Sequence, residues 1–354
     1  MDPIVCSSDM AYTENFFREL QDGSYRSAKE IVPLVLELVQ PKSVIDIGCG
    51  AGTWLSVFKE FGIEDICGVD GDYVGEEILK IPKEQFLSLD LSKPFHLDRQ
   101  FDLVLSLEVA EHLPPESAGI FIDSLTRLGS VILFSAAIPH QGGTQHMNEQ
   151  WPDYWAKFFH HTGYVAIDCI RKTIWQNANV EWWYAQNLLL FVRTDYLHSH
   201  HSLNRAFENT ATSQLSIVHP QKYLILVQWI DRLYSAARDI AAAIPPGEKF
   251  ILVDDDHFGG LITGGRRTIP FLEREGRYGG PPPNDETAIR EVEQLRQSGA
   301  NFIVFAWPAF WWLDCYKGFN QYLRSVFRCT LENERLVAFD MRRESDSSFS
   351  SSRL

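Results

Sequence analysis

No run of 18 apolar residues occurs anywhere in the 354-residue chain, so no membrane-spanning helix and no membrane insertion are expected. The amino terminus, MDPIVCSSDM, has no basic segment leading into an apolar stretch, and a cytoplasmic protein is expected on that basis. Positive charge is scarce: 32 Lys and Arg stand against 47 Asp and Glu, a formal net charge of -15. Such a surface is poorly suited to releasing counterions from a phosphate backbone, so nucleic acid is not the expected partner. The six cysteines (Cys6, Cys49, Cys67, Cys169, Cys315 and Cys329) form no CxxC pair, which points to reduced thiols and away from structural zinc or a disulfide framework.

What remains is an ordinary globular composition, 45% hydrophobic and 22% charged, in a chain longer than one hydrophobic core usually supports. Apolar residues recur at helical spacing from Arg26 to Val39, and Ser43 to Ile47 then reads as a buried strand followed by a glycine-rich turn. Strands ending at Val69, at Gln85 to Leu89, at Phe101 to Leu107 and at Val131 to Ser135 alternate with helical stretches. Tyr164 to Arg171 and Leu188 to Val192 read as a closing pair, antiparallel because no helix is expected between them. The expected fold is α/β, a Rossmann-like seven-stranded sheet in residues 1–195, then a polar linker (196–215). A small α/β accessory domain (216–342) and a disordered serine-rich tail (343–354) complete the expected organisation.

The segment Val44-Ile45-Asp46-Ile47-Gly48-Cys49-Gly50-Ala51-Gly52 is a strand that ends near a carboxylate and turns through three glycines into a helix. Glycine permits positive φ and lets backbone approach a ligand closely, and the helix start offers free amides; a dinucleotide site would have the same features. Asp70 closes the next strand, where a carboxylate can accept both hydroxyls of a ribose, and Asp90 closes the third, within reach of an adenine amino group. The order DIGCGAG, GVD, LSLD, FDLVLSLEVAEHL resembles class I S-adenosylmethionine-dependent methyltransferases over about the first 195 residues. The resemblance implies that Asp46, Gly48, Gly50 and Gly52 surround the amino-acid part of S-adenosylmethionine, Asp70 the ribose and Asp90 the adenine. Leu91 would lie beside the ring, with Leu107 among the residues that contact the cofactor.

On the reacting side, Glu108, Glu111 and His112 follow the fourth strand. Either His112 removes a proton from an acceptor hydroxyl, or the three together hold a hard divalent metal such as Mg2+ that lowers the hydroxyl pKa. The EVAEHL pattern is similar both to small-RNA 2′-O-methyltransferases, which use a metal and a further histidine, and to metal-free quinone O-methyltransferases. The loop Pro139 to Pro152 carries His140 and His146, either of which is a candidate base or additional ligand, unless the two merely satisfy a surface loop. Trp175, Trp182, Trp183 and Tyr184 offer aromatic faces suited to sugar rings, or else pack the core.

Parts of the chain (HxNEQWPDYW, VEWWYAQNLLLF) are similar to bacterial methyltransferases that modify sugars and surface glycans, and GRRTIPFLEREGRYGGPPP resembles a module of glycan-assembly proteins. In that accessory domain Asp254, Asp255 and Asp256 end a strand, either as a solvated strand end or as remains of a metal site. Arg266 and Arg267 are candidates for an anionic group, and Trp307, Phe310, Trp311 and Trp312 for a sugar platform or a core. The expected function is O-methylation of a hydroxyl on a small molecule or sugar acceptor with a histidine base. The alternatives are N- or C-methylation of a small metabolite, or an inactive cofactor-binding scaffold. Against methylation of DNA or protein amides, Leu107-Glu108-Val109-Ala110 stands where an NPPY or DPPY tetrapeptide would be expected.

Overall fold

The computed structural model describes residues 14–342 except 259, 260 and 264, so Cys6 and the tail from Arg343 lie outside the described residues. The chain divides between Tyr223 and Leu224 into two compact units, each described by itself. In the first, α1 (Glu14–Val39) buries Ala28, Ile31, Val32, Val35 and Val39, a three-and-four spacing that gathers them on one face. The strands β1 (Ser43–Ile47), β2 (Asp65–Asp70), β3 (Phe86–Ser88), β4 (Leu103–Leu107), β5 (Val131–Ser135), β6 (Tyr164–Ile167) and β7 (Leu189–Arg193) form one sheet. Three of them, SVIDI, LVLSL and VILFS, are buried along their whole length, the pattern of strands covered on both faces. Val44, Leu103, Leu105, Val131 and Leu133 pack with α1 and α2 (Thr53–Glu60), while Ile45, Ile47, Val104, Ile132 and Phe134 pack with α3 (Ala118–Leu128) and α4 (Pro152–His161).

The strand order is β3-β2-β1-β4-β5-β7-β6, with β7 antiparallel to both neighbours. Because β1 lies between β2 and β4, connections leave it in opposite directions and open a crevice at the carboxyl ends of the strands. The antiparallel closing pair was expected, but its connection is not bare. β6 stops at Ile167, and α5 (Arg171–Ile174) and α6 (Trp182–Asn187) follow before β7.

Residues 194–208, expected as mostly linker, form α7 (Thr194–Ser199) and α8 (His201–Glu208), which bury Leu197 and Leu203 in the α1 layer. The break at His200 interrupts the helical period, so the two anchors do not read as one amphipathic pattern.

α9 (Pro220–Ala243) leads into the second unit, with β8 (Lys249–Val253), β9 (Arg267–Pro270), the hairpin β10 (Glu273–Arg274) and β11 (Arg277–Tyr278), and α10 (Asp285–Gln297). Then come β12 (Phe302–Ala306), α11 (Trp311–Cys315), α12 (Lys317–Val326), β13 (Arg328–Glu332) and β14 (Leu336–Asp340). Its sheet runs β13-β14-β12-β8-β9, with β8 parallel to both β9 and β12. Cys49, Cys67, Cys169 and Cys329 are free thiols, whereas Cys315 is disulfide-bonded, a departure from the expected reduced set, since spacing along a chain does not report proximity in space. Among the described residues, no helix is long and apolar enough to cross a membrane.

Candidate functional site

The candidate residues of the first unit follow strands at one edge of its sheet. At β1, Gly48 has φ 85° and a Cβ there would lie 2.3 Å from the Val109 side chain, so only glycine fits between the turn and β4. Gly50 has φ 52°, and a Cβ would meet nothing within 4 Å, which leaves the crevice clear above the turn. Asp70, 4% exposed, accepts hydrogen bonds from the amides of Gly50 (2.6 Å) and Gly71 (2.7 Å) and from the Tyr73 hydroxyl. These donors fix the carboxylate where β2 ends. Asp46 is buried at 2% exposure; desolvation, and then the charge of Asp70, push its pKa up to about 7.

Asp90, by contrast, is exposed and closes a local turn, held by Lys93 (2.8 Å), the Ser92 hydroxyl (2.6 Å) and the Ser92 amide (3.0 Å). Those partners lower its pKa to about 2. Leu91 and Leu107 are both buried but in opposite layers of the sheet, Leu91 with Ile45 and Leu107 with Val44.

Beyond β4 the expected metal set is regrouped. One ligand atom each from Glu111, His112 and His146 lies within 4.8 Å of the others. Glu111 is fully buried and neither carboxylate oxygen meets a donor in hydrogen-bonding geometry. Burial and the nearby Glu108 raise its pKa well above the glutamate value, against a smaller downward pull from the amides of Glu111 and Ala137. A carboxyl kept dry and without a partner is costly unless something else binds there.

The His112 and His146 rings meet edge to face at 4.7 Å. His112 keeps an exposed edge, yet protein strips water from the rest of the ring and His146 disfavours a second charge, so its pKa is lowered. His146 Nδ1 bonds Glu149 Oε1 at 2.9 Å, and Glu149 also accepts from the amides of His140 (2.7 Å) and Gly142 (2.9 Å). Burial works to raise the Glu149 pKa, but these bonds win and hold it below the usual value.

Glu108 and His140 are not members of this cluster. Glu108 has φ 56°, a left-handed conformation disfavoured for a side chain with a Cβ, and its carboxylate is taken by Asn187 Nδ2 (3.1 Å) and Gln141 Nε2 (2.9 Å). His140, also left-handed at φ 64°, is exposed. Glu149, Gln141 and Asn187 went unnoticed in the sequence. The spacing His146-x-x-Glu149 was the available signal for the first, and nothing marks the other two.

The aromatic candidates divide. Tyr184 is core, Trp183 packs against that core, and Trp175 and Trp182 are half-buried. In the second unit, Asp254 accepts the amides of Asp256 (3.2 Å) and Phe258 (3.0 Å), and Asp255 accepts Tyr278, Trp311 and Trp312 at 2.7–3.0 Å. Donors of the protein itself thus absorb two of the three carboxylates. Trp312 is fully buried, and the Trp307 ring lies under the Arg232 guanidinium at 4.6 Å. Arg266 holds the carbonyls of Ala241 and Ile244 at the end of α9.

A family model described as a methyltransferase domain matches residues 16–258. A protein carrying a methyltransferase name, 235L of Invertebrate iridescent virus 6, is 26% identical over 165 residues, which are 44% of this chain and 58% of that protein. The chain therefore spans less than two-thirds of the length of that curated relative. Similar solved structures include DesVI of Streptomyces venezuelae (15% identity over 52% of this chain and 99% of that one, TM-score 0.39). The methyltransferase domain of bacterial CtHen1 is also similar (23%, 48% and 97%, TM-score 0.36). So is magnesium protoporphyrin IX methyltransferase of Synechocystis PCC 6803, solved with bound SAH (18%, 52% and 89%, TM-score 0.38). At TM-scores below 0.5 these likenesses add nothing to the family match.

Proposed function

The chain belongs to the methyltransferase-domain family, and on that premise we propose that it moves a methyl group from S-adenosylmethionine to a hydroxyl oxygen, with Glu111, His112 and His146 holding a divalent ion at the point of transfer. The observation that carries this reading is the buried Glu111 carboxyl without a hydrogen-bond partner, facing two imidazoles. A metal ion supplies what that carboxyl lacks, and two imidazole nitrogens with one oxygen suit a first-row transition ion better than Mg2+, which prefers oxygen alone; Mn2+ serves as the probe of that class.

When bound, S-adenosylmethionine supplies a methyl group on a positively charged sulfur. A divalent ion supplies Lewis acidity that lowers the pKa of an acceptor hydroxyl. The chain's own residues do the rest. Asp70, pinned by two amides, would accept the ribose hydroxyls; Glu149 fixes the His146 ring and leaves its other nitrogen available, as outer carboxylates do for ligating histidines. The His146–Glu149 pair also favours a second reading, in which His146 takes the hydroxyl proton with no metal present.

Titrating the full chain with Mn2+ and, separately, with S-adenosylhomocysteine by calorimetry distinguishes them. Both ligands are expected to bind. Binding of the nucleoside alone would leave His146 as the base, and binding of neither would overturn the methyltransferase reading.

Two results are expected at the cofactor end. Asp70→Ala should weaken S-adenosylhomocysteine by about 1–3 kcal/mol, the usual loss for hydrogen bonds to a charged group; unchanged affinity would remove Asp70 from the ribose site. Asp46 titrates near pH 7 in the free protein, and the ammonium group of the ligand favours its ionised form. Affinity should therefore rise with pH, by about tenfold from pH 6 to pH 8 if only the carboxylate binds. In Asp46→Asn the profile should be flat, and a flat profile in the wild type would show that Asp46 does not sense the ligand.

A further inference from the structure

Past the reacting cluster, the same sheet edge leads to a cavity of about 990 Å³ whose wall includes Lys172, Trp175, Gln176, Gln214 and Ile217. β6 runs parallel to β5, since β7 is antiparallel to both, so the carboxyl end of β6 opens on the edge that carries Glu108 and the loop 136–152. Three strand intervals separate β4 from β6, about 14 Å at ~4.8 Å each.

The wall is built from fixed parts. Arg171, 1% exposed, holds Asp168 and the carbonyls of Gln186 and Leu215. His219 lies 4.7 Å from the Trp175 ring and bonds its carbonyl at 2.9 Å. The His219 amide donates to Gln186 Oε1 (2.9 Å), Gln186 Nε2 to Gln141 Oε1 (3.1 Å), and Gln141 Nε2 to Glu108 (2.9 Å). An unbroken line of hydrogen bonds thus joins the cavity wall to the residue that follows β4.

We propose that this cavity is an acceptor subsite for a neutral oligosaccharide, which lays one ring against Trp175 and runs along the sheet edge to present a hydroxyl at the Glu111 cluster. A sugar ring has an apolar C–H face and a rim of hydroxyls. The indole of Trp175 and the side chain of Ile217 suit the face, and the amides of Gln176 and Gln214 suit the rim. The volume is at the upper end for a ligand pocket, and a ligand reaching about 14 Å along the edge is a chain of rings. Lys172 is the one exposed cation among the residues lining the wall, too little for a polyanion such as RNA. The end point of the chain rests on the methyl-transfer reading; the binding itself does not.

The full chain, without methyl donor or metal, would be tested on an array of neutral linear glucans, mannans and galactans of one to six units, with single-stranded RNA oligonucleotides as a competing class. Trimers and longer chains of at least one glycan type are expected to bind about tenfold more tightly than the single sugar. Trp175→Ala should lose that binding, and Gln176→Ala, which removes a rim amide from an exposed position, should weaken it; S-adenosylhomocysteine affinity in both variants reports that they fold. No glycan binding, wild-type binding by the Trp175 variant, or tighter binding of RNA would each overturn the proposal. Intact nucleoside binding without glycan binding would sink the subsite alone. Glycan binding without nucleoside binding would instead sink the transfer reading.

Discussion

Glu111→Gln is expected to lower methyl-transfer turnover by roughly 10²–10³-fold, the scale of removing one group that stabilises charge at a transition state. Divalent-ion binding should disappear with it, while S-adenosylhomocysteine binds as before, because Asp46, Asp70 and the glycine turn assigned to the cofactor belong to the ends of β1 and β2. Thermal stability should move the other way. A neutral amide replaces a buried carboxyl that has no partner in the free protein, so the metal-free variant should melt no lower than the wild type. Burial and then Glu108 raise the pKa of the free Glu111 carboxyl, and a bound ion would favour its ionised form, so Mn2+ affinity should increase as pH rises. Initial rates with an acceptor whose free hydroxyl the wild type methylates, and calorimetry at two pH values, check these outcomes. Turnover within about threefold of the wild type would remove Glu111 from the transfer site.

Arg171→Ala is expected to destabilise the first unit by about 3 kcal/mol, the low end of the cost of breaking a buried ion pair, because the Asp168 carboxylate left behind keeps some contact with solvent. The guanidinium makes two bonds to Asp168 (2.7 and 2.9 Å) and one each to the carbonyls of Gln186 (2.7 Å) and Leu215 (2.9 Å). Its removal strands all three acceptors. Lysine at this position keeps the charge but not the planar fork, so Arg171→Lys should recover only part of the loss. Urea denaturation measures both, and a loss below about 1 kcal/mol for the alanine variant would show that water replaces the guanidinium.

Arg171 also marks where the sequence stopped being legible. Tyr164 to Arg171 reads as one strand because it is apolar throughout except for Asp168 and the final arginine, but the strand ends at Ile167 and the arginine turns inward to serve distant carbonyls. β1, β4 and β5 were legible because strands buried on both faces must be almost wholly apolar. The glycine turn was legible because its backbone admits no other residue at Gly48.

At the reacting cluster the segment Glu108 to His112 announced itself, yet period alone cannot tell which side chains converge. The left-handed φ of Glu108 accompanies its engagement by Asn187 and Gln141, and Glu111, three residues on, joins His112 instead. Between His140 and His146 nothing local decided, since both flank glycines; the structure joins His146 to His112 and Glu111. Helices α7 and α8 were hidden by their brevity, each contributing one fully buried apolar residue to the core.

Along the edge of the seven-stranded sheet, Asp46, the glycine turn and Asp70, assigned to the methyl donor, stand at the ends of β1 and β2, the reacting cluster follows β4, and the cavity follows β6. The two ends are separate stretches of the chain, and no residue lining the cavity follows β1 or β2. Mutation at one end can therefore be selected almost independently of the other. A lineage could exchange residues 168–177 and 211–218 to accept a different hydroxyl-bearing chain while donor affinity is inherited unchanged, and the substrate range of such a scaffold would drift faster than its fold.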